Sequence, residues 1–279
     1  MKQTQKDALL DALFLIEDYI ETGYRRPTDS RRRRLLAAEA PPAGTAAGHR
    51  RPAGDRRPAG DAGTRGRPGG TAEPQPVAGP PRAAAPEVDD RPAEERRAEL
   101  TALEERVRTC TKCPLHEGRT NGVPGTGVLD PLVMVIGEGP GAEEDRQGLP
   151  FVGKAGQYLD KWLDAIEMSR ETNAYIANIV KCRPPQNRDP ARDEAETCLP
   201  YLHEQIMLVR PKTILTVGRV AASYLLDTTA GIGALRGTVY TYRGIPLVPT
   251  YHPSGVLRNP DYRRPVWEDL KLLRSVLDG

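Results

Sequence analysis

The residues able to do chemistry gather in the second half of this chain, beside sharp turns. The apolar run Val133-Met134-Val135-Ile136-Gly137 ends at Glu138-Gly139-Pro140-Gly141, continues through Ala142-Glu143-Glu144-Asp145 and reaches Pro150-Phe151-Val152-Gly153. Glycines and a proline turn the chain here and let its backbone lie close to a ligand. Glu138, Glu144 and Asp145 cluster just past the apolar run, and in open α/β sheets ligands bind at strand ends of this kind. Phe151 is the only phenylalanine after Phe14, and it sits inside the glycine-rich loop instead of an apolar run. Taken alone, the stretch also fits a plain loop with solvated acids and one buried ring.

All four cysteines follow residue 100. Cys110 and Cys113 form a C-x-x-C, and Cys182 and Cys198 are separated by fifteen residues. Without a secretory context, four cysteines with a C-x-x-C point to a metal more than to disulfides. Zinc and an iron–sulfur cluster both accept four thiolates, and the spacing does not separate them. The plainer alternative is two buried thiols beside a fortuitous C-x-x-C. Cys182 lies four residues after Asn178, so a metal there braces the loop leaving the strand that Asn178 ends.

The elements that must position these residues read as follows. A helix covers 98–109 and leads into the C-x-x-C. Val133–Ile136, Tyr175–Val180 and Thr213–Gly218 read as buried strands, because each is a short continuous apolar run. Helices are expected over 156–168, 191–208 (with Pro200 as a kink or break), from 218 to Leu226, and over 262–277. Val239–Tyr242 and Ile245–Val248 form a hairpin around Arg243-Gly244 and feed a last strand ending at Thr250-Tyr251-His252-Pro253-Ser254. Strands alternating with helices imply a mostly parallel sheet covered on both faces. Parallel strands bring the ends at Glu138, Asn178 and His252 to one edge.

Composition divides the 279 residues unevenly. Residues 25–97 are rich in Arg, Pro, Ala and Gly, with Arg31-Arg32-Arg33-Arg34 and a repeat of Arg51-Pro52-Ala53-Gly54-Asp55 at Arg57–Asp61. No large apolar residue occurs between Leu36 and Val77. Such a segment buries too little surface to offset its chain entropy, so it reads as a disordered linker. Residues 1–24 hold an amphipathic helix, with Leu9, Leu13, Ile16 and Ile20 on one stripe that needs a partner, either the C-terminal domain or another protein. Residues 98–279 are long enough for one well-packed domain. The formal charge of +2 says little about partners, although the tail is locally basic and can hold a polyanion. Nothing resembles a membrane span, and Asp7, Asp11, Glu17 and Asp18 interrupt any signal-peptide core, so a cytoplasmic protein is expected.

Taken together, Glu138-Gly139-Pro140-Gly141, Pro150–Gly153, Asn178-Ile179-Val180-Lys181-Cys182-Arg183-Pro184-Pro185-Gln186-Asn187-Arg188 and His252-Pro253-Ser254, with the four cysteines in order, resemble the family four uracil-DNA glycosylases. These are the iron–sulfur members of the uracil-DNA glycosylase superfamily, and the resemblance covers roughly residues 100–278. It implies a three-layer α/β/α sandwich around a central four-stranded parallel sheet. It also implies a DNA-repair hydrolase that cuts the N-glycosidic bond of uracil in DNA and leaves an abasic site.

On that reading the target base leaves the stack. Phe151 stacks on it, and Asn178 matches its O4 and N3–H edge. His252 donates to uracil O2 as negative charge grows there, and the backbone at Gly139 lies against the same edge. A carboxylate stabilises the cationic sugar or orients water, with Glu138 the first candidate and Asp145 the second. Glu144 faces C5 and excludes the methyl of thymine. Leu257 fills the gap left in the duplex, and Arg258 holds a phosphate. Cys110, Cys113, Cys182 and Cys198 hold a 4Fe-4S cluster. Better-known superfamily members read Gly-Gln-Asp-Pro-Tyr where this chain has Gly137–Gly141, so their water-positioning Asp and methyl-blocking Tyr are both absent. The expected partner is uracil-containing DNA, and a monomer is expected. Relatives that grip uracil-DNA covalently carry a Gln after the first Glu and an inserted Lys-Arg-Arg-Ile-His, and this chain has neither. A non-catalytic DNA-binding module is the alternative from a different class.

Overall fold

In the computed structural model, which describes residues 89–278, the apolar runs form the middle of a six-stranded sheet. The strands are β1 (Thr126–Gly127), β2 (Val133–Gly137), β3 (Ala174–Asn178), β4 (Thr213–Val217), β5 (Tyr240–Tyr242) and β6 (Ile245–Thr250), in the order β1-β3-β2-β4-β6-β5. The pairs β3–β2, β2–β4 and β4–β6 are parallel, whereas β1 and β5 pair antiparallel on the two edges. The sheet is therefore two strands wider than a four-stranded one. Both additions are short, which keeps the exposed ladder small. The β5–β6 hairpin turns at Arg243 (φ 48°) and Gly244 (φ 83°), the two left-handed residues that a tight two-residue turn needs.

Every residue of β2, β3 and β4 is buried, as strands covered on both faces must be. Side chains alternate between the two sides. Met134, Ile136, Tyr175, Ala177, Ile214 and Leu247 pack with helices α1 (Ala93–Arg108) and α5 (Arg192–Val209). On the opposite side α9 (Arg263–Asp278) packs on β4 and β6. Between these elements lie α2 (Leu115–Gly118), α3 (Ala142–Gln147), α4 (Lys154–Ala165), α6 (Arg219–Leu226), α7 (Ile232–Leu235) and α8 (Pro253–Arg258).

Some elements depart from the sequence reading. Helix α1 begins at Ala93, ahead of 98. Its fourth residue, Arg96, is buried and donates to Leu208 O at 2.8 Å while pairing with Asp130 at 2.6 Å. The charge-rich composition of 93–97 hid this turn. Helix α5 runs through Pro200 without a break. One missing N–H does not outweigh a helix face that buries Cys198, Tyr201, Leu202 and Ile206. The N-terminal helix over 1–24 and the linker from 25 to 88 lie outside the described residues. Among the described residues no helix is long and apolar enough to cross a membrane.

Candidate active site

The four parallel strands end on one edge of the sheet, and there the loops enclose a cavity of about 450 Å³. Gly137 and Asn178 stand opposite each other in the β2–β3 ladder, and Val217 stands opposite Thr250 in β4–β6. The pairing continues one step past the strands, where Ile179 N donates to Gly137 O at 2.9 Å and Val180 N to Glu138 O at 3.1 Å. The two loops that leave β2 and β3 are thus fixed against each other.

Glu138, Gly139, Glu144, Phe151, Asn178, His252 and Arg258 all line this cavity. Asn178 is 1% exposed, and its Oδ1 has no hydrogen-bond partner. Leaving a buried carbonyl unpaired costs about 1–3 kcal/mol, so such an atom signals an absent ligand or a reserve of strain. The Phe151 ring lies 5.7 Å from the His252 ring, tilted by 32°. Gly137 lies beneath both groups. A β-carbon there would come within 2.5 Å of Asn178 Oδ1 and 2.6 Å of Phe151 Cζ, so only glycine lets the carboxamide and the ring share one wall. Gly139 is similarly confined, with Val180 Cγ2 2.7 Å from the place of its missing β-carbon.

The electrostatics of the site push its acid and its imidazole in opposite directions. Burial, with Asp189 adding to it and Arg219 opposing, pushes Glu138 up to about 7 from an ordinary 4.5. Burial, with Arg258 adding to it and Glu144 opposing, pushes His252 down to about 4. His252 is therefore neutral at pH 7. It caps α8, and its Nδ1 accepts from Ser254 N at 3.2 Å and lies 2.8 Å from Ser254 Oγ. A backbone N–H can only donate, so Nδ1 is the unprotonated nitrogen and Nε2 carries the proton. The imidazole thus keeps a donor on its other nitrogen. Gly218, at φ 97°, donates to Thr250 O at 2.9 Å and allows β4 to pass close under His252.

The two adjacent acids of α3 part company. Glu144 reaches back into the loops, and its Oε1 accepts from Val152 N and Gly153 N, both at 2.9 Å. Its Oε2 accepts from Gly141 N at 3.1 Å. It lines the cavity as a carboxylate rigidly held by three amides. Asp145, the second choice for the water-orienting acid, does not line the cavity. Its Oδ1 accepts from Thr120 N at 2.8 Å and Asn121 N at 3.2 Å, so it anchors a neighbouring loop. Leu257 projects from α8 at 41% exposure, outside the cavity lining. The sequence reading missed the contribution of β4, from which Gly218 and Arg219 reach the cavity. It also missed Asp189, which pairs with Arg219 at the wall.

A second, small cavity is lined by all four cysteines. Cys182 and Cys198 are buried, and Cys110 and Cys113 are partly so. Arg119 donates to Cys182 Sγ at 2.8 Å, and Lys181 N to Cys198 Sγ at 3.3 Å. Four sulfurs from three separate segments, with cationic and N–H donors on two of them, make a donor set suited to a thiolate-ligated cluster. Among the described residues no three Cys, His, Asp or Glu side chains close tightly enough to hold a single metal ion.

Residues 124–271 match the family described as the uracil DNA glycosylase superfamily. A type-4 uracil-DNA glycosylase of Pyrobaculum aerophilum is 42% identical over 182 residues, covering 62% of this chain and 92% of the relative. One from Saccharolobus solfataricus is 43% identical over 189 residues (64% and 87%), and one from Thermotoga maritima is 42% identical over 182 residues (64% and 94%). With a strand-edge cavity holding Glu138, Phe151, Asn178 and His252, and with relatives matched over nearly their whole length, the chain belongs to the uracil DNA glycosylase superfamily.

Proposed function

We propose that the chain is a uracil-DNA glycosylase of DNA repair, which hydrolyses the bond between uracil and deoxyribose. The observation that carries this reading is the unpaired, buried Asn178 Oδ1 facing a cavity that also holds the Phe151 ring and the His252 donor. A flipped uracil satisfies it. The base stacks on Phe151 and donates N3–H to Asn178 Oδ1, while its O4 accepts a hydrogen bond from Nδ2 of the same carboxamide. The N–H on His252 Nε2 is directed at O2, where charge collects as the glycosidic bond breaks. A neutral imidazole suits this role, because it donates without a second charge buried in the cavity. Glu138 in its ionised form stabilises the cationic sugar or orients the attacking water.

Glu144 is the wall against C5. Its three backbone partners make it rigid, and a rigid, desolvated carboxylate rejects a methyl better than a soft apolar surface does. Leu257 enters the duplex beside the cavity and Arg258 holds a phosphate. Cys110, Cys113, Cys182 and Cys198 hold a 4Fe-4S cluster that clamps α1, the loop after β3 and α5 together. When bound, it supplies cross-linking of these segments, and the hydrolysis needs no electron transfer. The protein acts as a cytoplasmic monomer whose partner is uracil-containing DNA. The arginine runs between residues 25 and 88 add affinity for the DNA backbone.

The test is to incubate the purified protein with labelled oligonucleotides carrying one uracil, thymine or cytosine, then treat them with alkali. Cleavage at uracil alone is expected, and an intact uracil strand would overturn the reading.

A further inference from the structure

The loop that carries Phe151 is gripped from two sides by charges of opposite sign. Arg170, in the turn before β3, donates from Nη1 to Pro150 O at 3.1 Å and from Nη2 to Phe151 O at 3.0 Å. Asp160 on α4 holds the same guanidinium through Nε at 3.0 Å and Nη2 at 2.5 Å. On the other side Glu144 takes the N–H groups of Val152 and Gly153. A cation thus fixes two carbonyls and a carboxylate fixes the next two amides. Phe151 itself sits at φ 53°, in the left-handed region that a bulky side chain enters at a cost of about 1–2 kcal/mol. Its carbonyl is pressed into α4, where a β-carbon on Gly156 would lie 1.9 Å from Phe151 O. A backbone held in a costly conformation needs something to hold it, and the guanidinium is the group that touches the carbonyls on both sides of the strained Cα.

We propose that Arg170 is a positioning residue for base recognition. Its forked grip on Pro150 and Phe151 keeps the aromatic ring beside Asn178 and His252, at the stacking face of the flipped base. The role rests on Phe151 being that stacking face. Arg170 does not line the cavity and acts only through the backbone of Phe151. A lysine there carries the charge but lacks the planar fork, so it cannot hold both carbonyls in one geometry.

A double-mutant cycle tests this, with free uracil as the competing ligand and single-turnover excision as the second readout. Arg170→Met is expected to weaken inhibition by uracil, and to raise KM, by about tenfold, the scale of one lost aromatic stack, with kcat at saturation within about threefold. Arg170→Lys should recover part of that loss. In a Phe151→Ala background, Arg170→Met should change uracil inhibition by less than about twofold, because the group it acts through is gone. A tenfold loss in both backgrounds, or no loss when Phe151→Ala alone has a large one, overturns the positioning role. If Phe151→Ala by itself leaves uracil inhibition unchanged, stacking on that ring is wrong and the role of Arg170 falls with it. Should Arg170→Met fail to fold, Arg170→Gln and Asp160→Asn carry the same cycle, since each weakens the grip without emptying the site.

Discussion

Two cavities flank the segment 178–182, and they are built on opposite principles. At Asn178 the structure leaves a buried acceptor unpaired, raises the affinity of Glu138 for a proton and suppresses that of His252. Four residues on, at Cys182, four sulfurs from three segments face one another, and two of them receive hydrogen bonds. The first region stores unsatisfied groups for a ligand that comes and goes. The second is suited to permanent cross-linking. Binding energy can be directed at a transition state only where the protein has not already satisfied its own groups. In this molecule the cavity is marked by one acceptor left unpaired, and a rigid brace lies four residues away.

Substitutions in the two regions should therefore fail in different ways. His252→Ala removes the donor at the leaving base, and kcat should fall by about 10²–10³ with KM and thermal stability little changed. Equal loss in KM would assign His252 to ground-state binding instead. Glu138 should impose a pH dependence. Its carboxylate form dominates only above about 7, so kcat/KM should fall about tenfold per unit as pH drops below that value. Glu138→Gln should abolish this slope and lose about 10²-fold at pH 8. Stability should respond in the opposite sense. Because the folded value lies above the ordinary 4.5, the native state holds that proton more tightly than the unfolded chain. Wild-type stability therefore declines as pH rises from 4.5 to about 7, and the Gln variant should lack that decline in urea titrations.

Cys198→Ser should behave in the reverse manner. It is expected to lower Tm by about 10 °C, a loss of about 3 kcal/mol, while residual excision at low temperature stays within a few-fold of wild type. Anaerobically purified wild type should be brown and contain iron and sulfide. Colourless protein with stoichiometric zinc would keep the brace and remove the cluster. Glu144→Ala should admit 5-substituted uracils while uracil excision survives in part. The surviving part is expected to be modest, because three amides lose their acceptor. If every 5-substituted base is still refused, the gate is Phe151 or loop backbone. The smallest effect belongs to Leu257→Ala, about fivefold on duplex DNA and less on single strands, where no gap needs filling. Equal losses on both would count against a wedge.

Much of this contrast was legible in the sequence because it follows from patterns the chain displays directly. Buried strands β2, β3 and β4 stand out as apolar runs, and the polar residue after each run marks a strand end. Applied to β4, the same rule would have found Gly218 and Arg219, which follow Thr213–Val217 as Glu138 follows Val133–Gly137. The two acids of α3 could not be told apart. In the sequence they are neighbours, but each step along a helix turns by about 100°, so Glu144 meets the loop amides and Asp145 the backbone at 120–121. The edge strand β1 was hidden by brevity, since it is two residues long and includes Gly127, whereas the β5 edge was legible as one arm of the hairpin around Arg243-Gly244. Arg170 had no signature, because the carbonyls it holds are nineteen and twenty residues away and its carboxylate partner Asp160 lies ten residues away on another element.

The central claim is that the incomplete cavity performs hydrolysis and does not merely bind. Mass analysis of both products from one single-turnover reaction tests it most directly, using a duplex with a single uracil. The account predicts free uracil together with an abasic strand, in equal amounts and with no protein attached. Uracil retained in an intact strand, or a strand linked covalently to the protein, would contradict it.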